Sequence, residues 1–175
     1  IIGDKVAATP IVQGGMGVGI SLSGLASATA NEGGIGVIAA AGIGMCERDF
    51  YTSYLEANLR AMRREIRKAK SLTRGLVGIN IMCAFSHYDD FVRVAMEEGI
   101  DMVFSGAGLP LNLPGHRDTC ATTKLIPIVS SGRAAKLLCR RWLTRFDYLP
   151  DAIVVEGPKA GGHLGFKSEQ IDDTA

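Results

Sequence analysis

Short apolar runs alternate with longer amphipathic stretches along the whole chain. "TPIVQGG" (9–15) ends on glycines and predicts a strand, and "SLSGLASATANEGG" (21–34) predicts a small-residue helix opened by Ser and closed by Gly. "IGVIAAAG" (35–42) predicts a second strand, and "ERDFYTSYLEANLRAMRREIRKAK" (47–70) a long amphipathic helix. "GLVGINIM" (75–82) and "IDMVFSGAG" (100–108) predict two further strands, separated by the helix pattern "SHYDDFVRVAMEEG" (86–99). "TKLIPIVSS" (123–131) predicts a fifth strand with Pro127 inside it, "GRAAKLLCRRWLTRF" (132–146) a helix, and "DAIVVEG" (151–157) a sixth strand.

The strand runs are nearly continuous in Ile, Val and Leu. Strict in/out alternation is missing, which favours strands buried on both faces of a parallel sheet with crossover helices. No linker or change of composition divides the chain, so residues 1–175 read as a single α/β domain. Polar and glycine residues close nearly every run: Gln13 to Met16, Asn80, Ser105 to Gly108, Ser130 with Ser131, and Glu156 with Gly157. A doubly wound sheet gathers its ligand contacts at one switch point, whereas a (β/α)8 TIM barrel shares one mouth among all its strands. The distribution favours the barrel. A closed barrel needs eight strands and typically about 250 residues. The six runs found here predict about six of the eight βα units, with the C-terminal part of the barrel lying outside the chain.

Composition narrows the function. The net charge of +1 gives no global attraction for nucleic acid, and the basic run Arg60 to Lys70 also fits a solvated helix face. The apolar runs are too short to span a bilayer. Four widely spaced cysteines without a CxxC pair, and no secretory segment, fit a reduced, cytoplasmic protein. Twenty-two of the 175 residues are glycine, clustered after the apolar runs, where backbone can approach a ligand closely.

Three segments carry chemistry. Gly14 and Gly15 leave no side chain above the first run, so a flat ligand or a simple tight turn fits there. Asn80 closes an apolar run and needs partners, from neighbouring loops or from a heterocycle. His163, flanked by Gly161, Gly162 and Gly165, has an accessible ring suited to proton transfer near neutral pH. His87 and His116 fall in surface positions. No Cys, Asp or Glu stands at ligand spacing from His163, so no metal site is expected.

These residues resemble the nitronate monooxygenase family (formerly 2-nitropropane dioxygenases), whose close relatives include flavin-type enoyl-acyl-carrier-protein reductases. The matching segments are "PIVQGGMG", "LASATANEGGIGVIAA", "VGINIM", "GIDMVFSGAGLP" and "EGPKAGGHLG". The resemblance implies an FMN-binding TIM barrel, of which residues 1–175 are the N-terminal portion. It implies that Gly14, Gly15 and Met16 lie against the isoalloxazine ring, that Asn80 hydrogen-bonds the flavin, and that Ser130 or Ser131 is close to it. Glu156, Gly161 and Gly162 would line the site. His163 would be the catalytic residue, either the base on a nitroalkane carbon or a hydrogen-bond donor to the nitronate. The implied reaction takes an alkyl nitronate and dioxygen to a carbonyl compound and nitrite. By resemblance the FMN phosphate sits in loops after the seventh and eighth strands, beyond this chain, so weak FMN retention is expected. Two alternatives stay open: an NAD(P)H-dependent flavin reductase acting on enoyl thioesters or quinones, and a non-catalytic truncated remnant. The expected partners are the small-molecule substrate and dioxygen, with no nucleic acid and no membrane; a homo-oligomer is left open.

Overall fold

The computed structural model describes residues 1–162, 165 and 166. Its centre is a parallel sheet of β1 (Ile35–Ala39), β2 (Leu76–Met82), β3 (Met102–Gly106), β4 (Lys124–Val129) and β5 (Val154–Val155). Helix α1 (Ser23–Asn31) precedes β1, α2 (Tyr54–Leu72) joins β1 to β2, α3 (Tyr88–Glu97) joins β2 to β3, and α4 (Gly132–Phe146) joins β4 to β5. A 3₁₀ turn at Leu113–His116 stands in the connection from β3 to β4. Every strand lies beside its predecessor, in the order β1-β2-β3-β4-β5 without reversal. That is the winding of a barrel wall; a doubly wound sheet reverses at a switch point.

The sheet buries both faces, for the reason that its Ile/Val runs anticipated. One face meets the helices through Ile38, Val77, Ile79, Ile81, Val103 and Leu125, all buried. The inner face carries a separate cluster of Ile35, Val37, Met102, Phe104 and Ile126. Gly36 brings α1 down onto β1: a Cβ at this position would lie 1.9 Å from the Ala26 carbonyl oxygen. The N-terminal turn closes one end of the inner face. Ile2 and Ala7 pack on the inner cluster, Lys5 bonds Asp101 at 2.9 Å, and Asp4 bonds Lys124 at 2.8 Å. Asp101 and Lys124 stand at the starts of β3 and β4, so this plug covers the N-terminal ends of the strands and leaves the C-terminal ends for a site.

Three expected elements are shorter than the sequence suggests. The first run forms no extended strand; it pairs with β1 only at Val12↔Ile35, because the Gln13 side chain takes over the next rung. The sixth run keeps two strand residues. Lys124 and Leu125 send their N–H groups to opposite sides, to the Asp101 carbonyl and to Asp151 Oδ2. By the same alternation Pro127 faces β5, where its missing N–H removes a rung. The long helix starts at Tyr54, not at Glu47. Arg60 holds Glu47 at 3.1 Å and Asp49 at 2.5 Å, folding the preceding segment back as turns along the flank of α2.

The basic run has its own internal account. Arg63 pairs with Glu97 and Glu98, at 2.6 and 2.9 Å, and Arg67 with Glu98 at 2.7 Å. These pairs tie the outer surface of α2 to α3, each with a modest exposed-pair contribution. Among the described residues, no helix is long and apolar enough to cross a membrane.

Candidate functional site

The C-terminal ends of the strands collect most of the residues singled out from the sequence. Asn80 lies near the end of β2, in register with Ala39 on β1 and Phe104 on β3. Phe104 belongs to the inner cluster, so Asn80 shares that face, half-buried at its upper edge. Gly15 arrives from the far side of β1 and lies against it: a Cβ on Gly15 would be 2.7 Å from Asn80 Cβ and 3.6 Å from Val37 Cγ1. A Cβ on Gly14 would meet nothing within 4 Å. Gly14 and Gly15 therefore form a backbone floor that is packed beneath and open above. Met16 stands beside it, 60% exposed, with its N–H donated to Ser21 Oγ at 3.0 Å.

A second group sits across the mouth. The N–H of Glu156 donates to the Val129 carbonyl at 2.8 Å, and its Oε2 accepts the Gly165 N–H at 3.0 Å. Ser130 is half-buried beside them, with its Oγ 2.8 Å from where a Gly165 Cβ would be. Gly161 and Gly162 are exposed, and neither has a described neighbour that a side chain there would meet. His163 lies outside the described residues.

Among the strand-end hydroxyls, Ser131 caps a helix and Ser105 departs from its expected place. Ser131 is the N-cap of α4; its Oγ accepts the Ala134 N–H at 3.2 Å, which commits it to the helix end. Ser105, expected at the mouth, faces the helices instead. It pairs with Ile81, a residue of the helix-side core, and is fully buried. Its Oγ donates to the Ile81 carbonyl at 3.0 Å and lies 2.8 Å from Tyr88 Oη and 3.3 Å from Cys83 Sγ. Burial pushes the Cys83 thiol and the Tyr88 phenol above their ordinary pKa values, so this group is a neutral structural knot.

Three side-chain roles went unread in the sequence. Gln13 and Ser21 shape the glycine floor through side-chain bonds to the backbone. Glu65, nearly buried on α2, accepts the Ser23 Oγ at 2.6 Å and the Ser23 N–H at 3.1 Å at the start of α1. It places a carboxylate where that helix exposes its free N–H groups.

The donor set fits a planar heteroaromatic ring with a polar edge. The floor is backbone only, and the Asn80 amide has no hydrogen-bond partner among the described residues. Such an amide carries both a donor and an acceptor, and it lies directly against Gly15. The family model for nitronate monooxygenase matches residues 3–175. The chain belongs to the nitronate monooxygenase family. That family comprises flavin-dependent oxidoreductases, in agreement with the ligand shape that the floor admits.

Relatives of known structure place this chain within the larger barrel. It aligns with FabK from Thermotoga maritima at TM-score 0.70 and 30% identity, covering 92% of this chain and 44% of that one. It shares its fold with nitroalkane oxidase from Streptomyces ansochromogenes, at TM-score 0.71 and 21% identity over 94% of this chain and 52% of the other. Among curated proteins it is 30% identical over 156 residues to "(3aS,4S,5R,7aS)-5-hydroxy-7a-methyl-1-oxo-octahydro-1H-indene-4-carboxyl-CoA dehydrogenase" of Mycobacterium tuberculosis. The chain spans 38% of the length of that relative. As a nitronate monooxygenase family member it thus supplies the α/β wall that runs from the glycine floor to Glu156.

Proposed function

We propose that this protein is an FMN-dependent oxidoreductase that oxidises alkyl nitronates with dioxygen, giving a carbonyl compound and nitrite. The observation that carries the reading is the open Gly14–Gly15 floor beside the Asn80 amide, which has no hydrogen-bond partner among the described residues, at the C-terminal ends of the strands. Bound FMN would supply the redox chemistry. Gly14, Gly15 and Met16 would support one face of the ring, and Asn80 would hydrogen-bond its polar edge. Ser130, Glu156, Gly161 and Gly162 would line the opposite side of the mouth, while Ser131 serves α4. His163 would take the α-proton of a neutral nitroalkane, or donate a hydrogen bond to a nitronate that arrives already deprotonated. The buried inner face under Asn80 would exclude water from beneath the ring.

A second reading has its own support. The curated Mycobacterium relative acts on a carboxyl-CoA compound by its name, and it is as similar to this chain as FabK is. A flavin enzyme of this build acting on thioesters with NAD(P)H would use the same floor.

Steady-state assays of the full-length protein separate the two. Oxygen uptake with stoichiometric nitrite release from ethyl nitronate is the expected result. Rapid anaerobic bleaching of the flavin by NADH, with no nitrite from any nitronate, overturns it in favour of the thioester reading.

A further inference from the structure

The outer edge of β1 is served by an interrupted partner. Ile35 donates its N–H to the Ile11 carbonyl at 2.9 Å and accepts from Gln13 N–H at 3.0 Å, which are the rungs of an ordinary parallel ladder. Further along, the Ala39 N–H donates to the Ser21 carbonyl at 2.9 Å. Between these points lies Val37, which is buried, and among the described residues no backbone group bonds its outer edge. The Gln13 carboxamide fills the gap. Its Nε2 donates to the Val37 carbonyl at 3.0 Å, and its Oε1 accepts the Val37 N–H at 3.3 Å. The Val37 N–H and C=O together fix the orientation of the amide, and Thr29 Oγ1 on α1 shares its single proton between the same Oε1 at 3.2 Å and the Leu25 carbonyl at 3.1 Å.

Residues 14–20 are thereby released from the edge as a loop. Its neck is closed by Ser21, which donates its N–H to the Met16 carbonyl at 2.9 Å and its Oγ to the Gly14 carbonyl at 3.3 Å. Had Gly15 continued the ladder, its backbone would lie along β1. Instead it crosses β1 and touches Asn80 on β2.

We propose that Gln13 is a positioning residue, whose carboxamide replaces one rung of the ladder so that Gly14 and Gly15 can lie over the barrel mouth against Asn80. Its consequence for flavin binding rests on the reading in the preceding section. Losing the carboxamide leaves the Val37 N–H and C=O unpaired at a buried edge and frees the loop to slide back into the ladder.

The test uses full-length protein with Gln13→Ala and Gln13→Glu, read by FMN affinity across pH and by amide hydrogen exchange of the 10–22 segment. Gln13→Ala should weaken FMN by about tenfold at every pH and speed exchange at Met16 and Ser21, whose N–H groups bond Ser21 Oγ and the Met16 carbonyl. Gln13→Glu should be weakened to a similar degree near pH 8, where a carboxylate cannot donate to the Val37 carbonyl. It should recover toward wild type near pH 5, relative to wild type at the same pH, because a half-buried carboxyl held against the Val37 carbonyl protonates more readily and regains a donor. A space-filling role for the side chain would give no such recovery. Gln13→Glu matching wild type at pH 8, or a flat profile for it, overturns the proposal. So does unchanged exchange in Gln13→Ala. If wild type binds no FMN, the flavin reading fails, and the exchange result alone still decides the role of Gln13.

Discussion

Gly15 and Asn80 belong to segments on opposite sides of β1, yet they touch: a Cβ on Gly15 would lie 2.7 Å from the Asn80 Cβ. The glycine is required by that approach. Gly15→Ala should lift the floor from the strand ends and weaken FMN binding by about tenfold, the scale of one lost site hydrogen bond. The thermal midpoint should change little, because the loop is exposed. Asn80→Ala should not relieve the defect, because the obstruction is Cβ against Cβ. Equal FMN affinity in wild type and Gly15→Ala would remove this contact from the site.

Much of this arrangement is readable in the chain itself. Continuous Ile/Val runs separated by amphipathic stretches specify the parallel sheet, and Gly15 and Asn80 announce themselves as non-apolar ends of apolar runs. Strand parity also places Ser105, which stands one position past Phe104 and so faces the helices, although reading strand ends as a group hides this. Ser131 directly precedes "GRAAKLL" and takes the N-cap position there. Contacts across long separations are another matter. No local pattern tells that Gln13 would pair through its side chain with Val37, 24 residues away, or that Glu65 would cap α1 through Ser23, 42 residues away.

The packing of α1 gives a stability prediction independent of any ligand. Gly36→Ala would place a methyl 1.9 Å from the Ala26 carbonyl oxygen, where the obstacle is backbone and no side chain can yield. A cost of about 3 kcal/mol is expected, at the upper end for forced overpacking. Urea unfolding checks it; a change under about 0.5 kcal/mol, the usual range for a harmless surface substitution, would mean that α1 does not approach β1 this closely.

Glu65 links pH to the same helix. Burial pushes its carboxyl up, but the bonds from Ser23 and the charges of Arg64 and Lys68 outweigh burial and leave it below the ordinary value. A depressed folded pKa means that the stabilisation is full above the unfolded value of about 4.3 and is lost as pH falls through the folded one. Glu65→Ala should therefore cost about 2 kcal/mol at pH 7, as for a lost hydrogen bond to a charged group. Its deficit relative to wild type should narrow below about pH 4. A deficit independent of pH would assign Glu65 a packing role only.

The cysteines should differ in reactivity. Hydrogen bonds from the Thr122 and Thr123 side chains bring the Cys120 thiol down to about 7, whereas burial pushes Cys83 up. Mass-spectrometric timing of iodoacetamide labelling at pH 7.5 should find Cys120 modified well before Cys83. The reverse order would show that the Cys83 knot with Ser105 and Tyr88 opens readily.

The central claim is that the Gly14–Gly15 floor and the Asn80 amide hold a flavin. Equilibrium titration of FMN into full-length protein and its Asn80→Ala counterpart, followed by flavin fluorescence, tests it most directly. Saturable one-to-one binding by wild type, weakened about tenfold by Asn80→Ala, is the predicted result. No saturable binding by wild type, or equal affinity in the two proteins, would contradict it.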